Sequence, residues 1–170
     1  MTKREKGFSL IELLIVVAII LIIAAIAIPN LLKARIAANQ ASAVGSLRTI
    51  MTANANYNSS YGVGYAPTLA VLGGVVINPP TCNQANMLDP VLSVGAPPMK
   101  SGYTFTYAVT NPFTGTLPTG CAAPGDLNFT TVALPVSNST GTDGYFIDDS
   151  GVIRFTTDGT APTNASSALQ

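Results

Sequence analysis

The stretch that decides the fold is Gly7-Phe8-Ser9-Leu10-Ile11-Glu12, continued by an apolar run to Ile28 and closed by Pro29. From Phe8 to Ile28, 21 residues, only Ser9 and Glu12 interrupt the apolar character. About 20 residues at 1.5 Å rise each span a hydrocarbon core roughly 30 Å thick. Lys3, Arg4 and Lys6 precede the run, and a positive flank keeps the N-terminus in the cytoplasm while the remainder crosses. Lys33 and Arg35 on the far side weaken that asymmetry without reversing it.

Three readings fit this segment. A plain membrane anchor explains the run but gives Glu12 no role. A secretory signal peptide finds small residues at Ala25-Ile26-Ala27, yet Glu12 enters its apolar region early and Pro29 sits just past the cut. The third reading rests on order: basic leader, Gly7, Phe8, Glu12 four positions on, an apolar run, then Pro29. That order resembles the N-terminal signature of type IV pilins and of the pseudopilins of type II secretion systems, over residues 4–50. The resemblance implies a dedicated prepilin peptidase cutting between Gly7 and Phe8, and N-methylation of Phe8.

Glu12 has two explanations. Ser9-x-x-Glu12 fits a capping box, and a carboxylate suits the positive end of a helix. A capping carboxylate inside a membrane segment still costs about 2–3 kcal/mol, so a partner is expected. After cleavage the Phe8 α-amine would lie one turn away, on the same chain or on a neighbour. The resemblance implies the neighbour, with Glu12 selecting register during assembly. Pro29 removes a helical hydrogen bond. It either kinks the helix at the membrane surface or, as the resemblance implies, marks a stretch that loses helical order within a filament.

Composition separates a spine from a head. Residues 1–56 contain two glycines and one proline, whereas residues 57–170 contain 13 glycines, 11 prolines and 11 of the 12 aromatics. Past Pro29 the sequence predicts that the helix resumes to about Asn56, making roughly 70 Å of spine with its lipid half first. Leu32, Ile36, Ala43, Val44, Leu47, Ile50 and Met51 share one face, and Arg35, Asn39, Ser42, Ser46 and Thr49 the other. Gly45 is a weak spot in this spine. Tyr57, Tyr61 and Tyr65 recur every four residues and pack where helix meets sheet. Ala66–Gly74 reads as a short helix with Pro67 in its first turn. Tyr103–Thr110 alternates as a half-buried strand, Asn128–Leu134 is a second, and Tyr145–Asp148 pairs with Val152–Thr156 as a hairpin. Thr156–Gln170 is small and polar and is expected to fray. The fold class is therefore α+β: a long N-terminal helical spine on a small antiparallel β-sheet head, which is also what the pilin resemblance implies. The expected divisions are a basic leader at 1–7, a membrane and assembly segment at 8–28, an amphipathic helix at 29–56 and a loop-rich head at 57–170.

Charged residues make up 9% of the chain, against about 25% in an ordinary globular domain. The absence of histidine removes the commonest general base and metal ligand, so Ser-His-Asp and Cys-His catalysis and His-containing zinc sites are excluded. No enzyme is expected. Cys82 and Cys121, an even pair on the exported side, predict a disulfide whose closure of a roughly 40-residue loop stabilises by about 4 kcal/mol. Many pilins place theirs nearer the C-terminus; here 49 residues follow Cys121. Asp143, Asp148, Asp149 and Asp158 are candidates for a calcium site, as major pseudopilins carry, but their spacing matches no EF-hand and suits turns. The N-x-S/T triplets at Asn58, Asn128, Asn138 and Asn164 carry little meaning in a bacterial chain. Beyond Arg48 only Lys100 and Arg154 face six aspartates, which argues against nucleic acid as a partner.

The resemblance implies a structural subunit, held in the inner membrane with its head outside the cytoplasm and then polymerised into a surface filament for adhesion or motility. Its partners would be copies of itself, the prepilin peptidase and inner-membrane assembly machinery. The alternative is a major pseudopilin forming a short periplasmic filament in protein export.

Overall fold

The computed structural model describes residues 8–122 and 124–169. The chain divides into two compact units, one ending at Arg35 and one beginning at Ile36. A continuous helix, α1 (Leu10–Tyr61), belongs to both. It passes the expected end near Asn56, where Tyr57 is buried and packs at a tilt against Tyr61 with ring centroids 5.0 Å apart. Gly62 then stops it at φ +65°, its N–H bonded to the carbonyl of Asn58, a left-handed residue that closes a helix C-terminus.

In the second unit α1 buries Ala43, Ser46, Leu47, Ile50, Ala53, Asn54 and Tyr57, a stripe spaced by threes and fours. This corrects the expected face by part of a turn. Val44 and Met51 are only half-buried, whereas Ser46, assigned to the polar side, is 4% exposed. Ser46 tolerates burial because its Oγ donates to the carbonyl of Ser42, one turn back. Asn39 and Ser42 are half-buried rather than free: Asn39 Nδ2 donates to the carbonyl of Thr140, and the Ser42 hydroxyl meets that of Ser101. Gly45 faces open space.

The stripe shares a core with an antiparallel meander: β1 (Met99–Lys100), β2 (Tyr103–Pro112), β3 (Asp126–Pro135), β4 (Gly144–Asp148), β5 (Arg154–Thr156) and β6 (Ser167–Ala168), paired in chain order. The four expected strands correspond to β2–β5, and short β1 and β6 are added at the edges. β1 returns into β2 through Ser101 and Gly102, both at positive φ, the two-residue turn whose twist suits a hairpin. Phe105, Ala133, Tyr145 and Phe155 lie opposite one another across β2–β5. Tyr103, Phe105, Ala133, Tyr145 and Ile147 join Leu47 and Ile50 in the core. Each large side chain so buried contributes about 1.5–3 kcal/mol.

The C-terminal stretch does not fray as expected. Leu169 N–H donates to the carbonyl of Ile153 at 2.7 Å, and Arg154 Nη1 donates to the carbonyl of Ser166 at 3.0 Å. These bonds make β6 an edge strand. The first short helix, α2, is Leu69–Leu72, narrower than expected. Thr68 caps it by accepting from Val71 N–H, which leaves Pro67 outside the helix. A second, α3 (Pro90–Ser93), starts from Asp89, whose carboxylate accepts from Leu92 N–H and pairs with Lys100 Nζ at 2.9 Å. Burial pushes the Asp89 carboxyl upward, but the Lys100 hydrogen bond and charge with the Leu92 amide outweigh it and lower the pKa.

One polar residue joins the layers. Asn54 is fully buried, and its Oδ1 accepts from Ala66 N–H at 3.2 Å and from the Tyr107 hydroxyl at 3.1 Å. Ala66 has only a donor to offer there, which fixes the amide orientation. The Tyr107 hydroxyl also reaches the carbonyl of Ala66 at 2.7 Å, and burial raises its pKa. Asn54→Ala leaves the Ala66 amide buried without an acceptor, an expected loss of about 2 kcal/mol. Urea unfolding of the detergent-solubilised chain, followed by tyrosine near-UV dichroism, measures it; an unchanged midpoint would refute the assignment.

Candidate assembly site

Between Phe8 and Lys33 the first unit is an apolar helix with a single ionisable group. From Leu10 to Leu32 every large apolar side chain is exposed, the least at 46% and the most at 79%. Glu12 is the one charged residue between Phe8 and Lys33. The helix is long and apolar enough to cross a membrane.

At its start Phe8 is 86% exposed. Glu12 Oε2 accepts from Ser9 N–H at 2.9 Å, and Leu13 N–H donates to the Ser9 carbonyl at 3.3 Å. The Glu half of the capping box is thus formed. The second oxygen, Oε1, has no partner among the described residues. Capping by its own chain and pairing with another chain therefore do not compete for the same atom. The expected cleavage bond joins Gly7, outside the described residues, to Phe8. Pro29 lies inside α1, where it lacks the N–H that would donate to the preceding turn.

In the second unit Cys82 and Cys121 form the expected disulfide, with Cα atoms 5.5 Å apart. Around it, the Tyr57 hydroxyl donates to the carbonyl of Cys82 at 2.7 Å. Asn83 Nδ2 donates to the Gly120 carbonyl, and Asn83 Oδ1 accepts from Ala122 N–H. The bridge and Asn83 together tie the loop between β2 and β3 to the Thr81–Gln84 turn. The other end of that loop is clamped by backbone: Gly125 N–H donates to Val63, and Tyr65 and Asp126 exchange both amide bonds. A Cβ on Gly64 would lie 2.5 Å from the Asp126 carbonyl oxygen, so only glycine fits there. Tyr65 consequently leaves the helical tyrosine stripe and packs edge-on against Phe129, with centroids 4.9 Å apart.

The four candidate calcium ligands are not brought together. Asp148 Oδ1 accepts from Ser150 N–H, Asp149 Oδ2 from Asn128 Nδ2, and Asp143 Oδ1 from the Thr142 hydroxyl. Asp158 accepts from the Thr160 hydroxyl and amide, which hold its carboxyl below the usual range. The Asp148 and Asp158 bonds close local turns, whereas the Asp149 bond ties its turn to Asn128 on β3. No group of three or more His, Cys, Asp or Glu converges among the described residues.

Residues 2–28 match the prokaryotic N-terminal methylation motif. Over 105 residues the chain is 37% identical to the type IV major pilin protein PilA of Myxococcus xanthus, covering 55% of this chain and 48% of that protein. It is 43% identical over 72 residues to the type IV wide pilus major component PilA4 of Thermus thermophilus, covering 41% of this chain and 55% of that one. The chain spans about half the length of the curated relatives it matches. No solved structure matches it. The expected recognition and fold class stand: a methylation-motif N-terminus, similarity to type IV major pilins, and a long apolar helix with an antiparallel sheet.

Sequence reading passed over the polar pins on α1 (Asn39, Gln40, Ser42, Asn54) and the Asp89–Lys100 pair. The signal for the last was present, since Asp89-Pro90 is a cap residue followed by proline at the first helical position. Breaking the disulfide frees a loop whose ends are 39 residues apart, at an expected cost of about 4 kcal/mol. Thermal melts of the detergent-solubilised chain with and without reductant test this, and coincident melts would contradict it.

Proposed function

We propose that the chain is a structural subunit of a type IV pilus-like filament. The peptidase removes the leader after Gly7, Phe8 becomes the methylated N-terminus, and subunits wait in the inner membrane with their heads outside the cytoplasm. They then polymerise through the segment 8–28. Carrying this reading is one observation: an exposed apolar helix whose single carboxylate, Glu12, has one oxygen without a partner among the described residues. It sits behind a methylation motif in a chain similar to two major pilus components. Both relatives favour a surface pilus over a secretion pseudopilin, for which no feature of the chain speaks more strongly.

The Glu12 oxygen left free by the cap accepts the Phe8 α-ammonium of an adjacent subunit. In lipid an unmatched carboxylate costs about 2–3 kcal/mol, so pairing drives subunits into one register. Pro29 supplies the point where the helix gives way as subunits pack, since its carbonyl partner one turn back is already without a donor.

Two outcomes follow. Intact-mass analysis of sheared filaments finds a chain beginning at N-methylated Phe8; a start at Ile28 would establish a signal peptide instead. Glu12→Gln keeps an acceptor for the Ser9 amide but loses the charge, leaving the neighbour's ammonium unpaired at low dielectric, at a cost of several kcal/mol per contact. Processed Glu12→Gln protein therefore accumulates normally in the inner membrane while filaments are few or absent. Wild-type filament numbers at matched subunit levels would leave Glu12 as a cap alone.

A further inference from the structure

Charge is segregated along this chain in a way that neither unit uses internally. Between Leu13 and Leu88 the sequence has no acidic residue, and its cations in that span are Lys33, Arg35 and Arg48, all exposed on α1. None of them forms an ion pair among the described residues; the pair that does form is Lys100–Asp89. The acids lie later. Asp126 is buried at the start of β3, where its backbone pairs with Tyr65, and Asp143 is half-buried against Thr142 and Tyr145. At the turn between β4 and β5, Asp148 and Asp149 stand side by side, Asp149 exposed, with no cation in pairing distance. Arg154, the cation nearest in sequence, is half-buried and spends Nη1 on the Ser166 carbonyl.

Two adjacent carboxylates repel each other unless a cation faces them. Lys33 and Arg35, two residues apart on α1, point to different sides of the helix, so each is a separate exposed cation. Each half supplies what the other lacks, within one chain. We propose that Arg35 of one copy, whose guanidinium fork suits paired carboxylates, docks against the Asp148–Asp149 turn of a second copy. The inference rests on the polymer reading and adds to it a contact outside the apolar helix. A second copy is the occupant because charge complementarity exists within the chain itself. A lipid surface is the lesser choice. Cations on the translocated side of a membrane segment oppose the positive-inside rule, so insertion does not call for them.

The contact is read by cross-linking. The described cysteines are all paired, so Arg35→Cys with Asp149→Cys introduces the reactive thiols. Oxidation of cells bearing filaments of this variant yields a ladder of dimers and higher multimers, which neither single substitution yields beyond the dimer. A charge swap guards against a perturbed turn. Arg35→Glu lowers filaments per cell several-fold at unchanged levels of processed subunit, and adding Asp149→Arg restores them. Filaments without a ladder, a ladder only when the second cysteine is moved to Asp158, or a reversal that depletes processed subunit from the membrane each overturn the contact. Absence of filaments from the unaltered chain would instead sink the polymer reading, a separate result.

Discussion

An apolar helix with one charged residue cannot remain in water, and everything else in this chain is arranged around that constraint. From Leu10 to Leu32 each large side chain left exposed forgoes about 1.5–3 kcal/mol of burial. Among the described residues these side chains stand exposed, and the core is assembled from residues 43 onward. Lipid is one environment that satisfies it; a bundle of identical helices is another. Small residues at Ala24, Ala25 and Ala27 let helices approach closely in either setting. A subunit able to use both environments in succession is what the methylation motif and the similarity to major pilins lead one to expect.

The head solves a different problem, remaining a folded unit although it is rich in turns. With 13 glycines and 11 prolines after residue 56, most of its backbone cannot be held by helices. It is held by a meander with local pairings, by one disulfide and by polar pins. The pins are economical: the buried carboxamide of Asn54 serves the strap after α1 and β2 at once, and Asn83 serves the loop on both sides of Cys121. Each depends on neighbours for its geometry, which couples the loops to the sheet rather than leaving them as independent segments.

How legible this was depended on how local the cause is. The apolar run, the β4–β5 hairpin and the alternation of Tyr103, Phe105 and Tyr107 are written in spacing alone, and each appears in the structure. The disulfide was legible because there were only two cysteines to pair. Ser46 was misplaced because its burial depends on an i−4 hydrogen bond and its small size, neither of which periodicity registers. β6 was missed because its bonds to β5 join residues more than ten apart through an unpatterned polar stretch. Thr68 caps a helix that starts three residues later than the Ala66 start read from Pro67, and Asp89 caps one that was not expected at all. For Glu12 the sequence left cap and partner as rivals; the structure shows the cap bond on one oxygen, separate from the other.

That separation bears on why a carboxylate, rather than an amide or hydroxyl, stands at this position. A cap alone needs one acceptor oxygen, which Ser, Asn or Gln provides without the cost of a charge in lipid. Glu12 uses one oxygen for the Ser9 amide and keeps a second with its charge only partly satisfied. The cap fixes where that second oxygen points, because the side chain is tethered to the backbone three residues earlier. A freely rotating carboxylate would lose side-chain entropy on pairing, whereas a tethered one has already surrendered much of it. The capping box is thereby more than an alternative explanation of the residue: it holds the charge in a defined place on an otherwise featureless apolar surface.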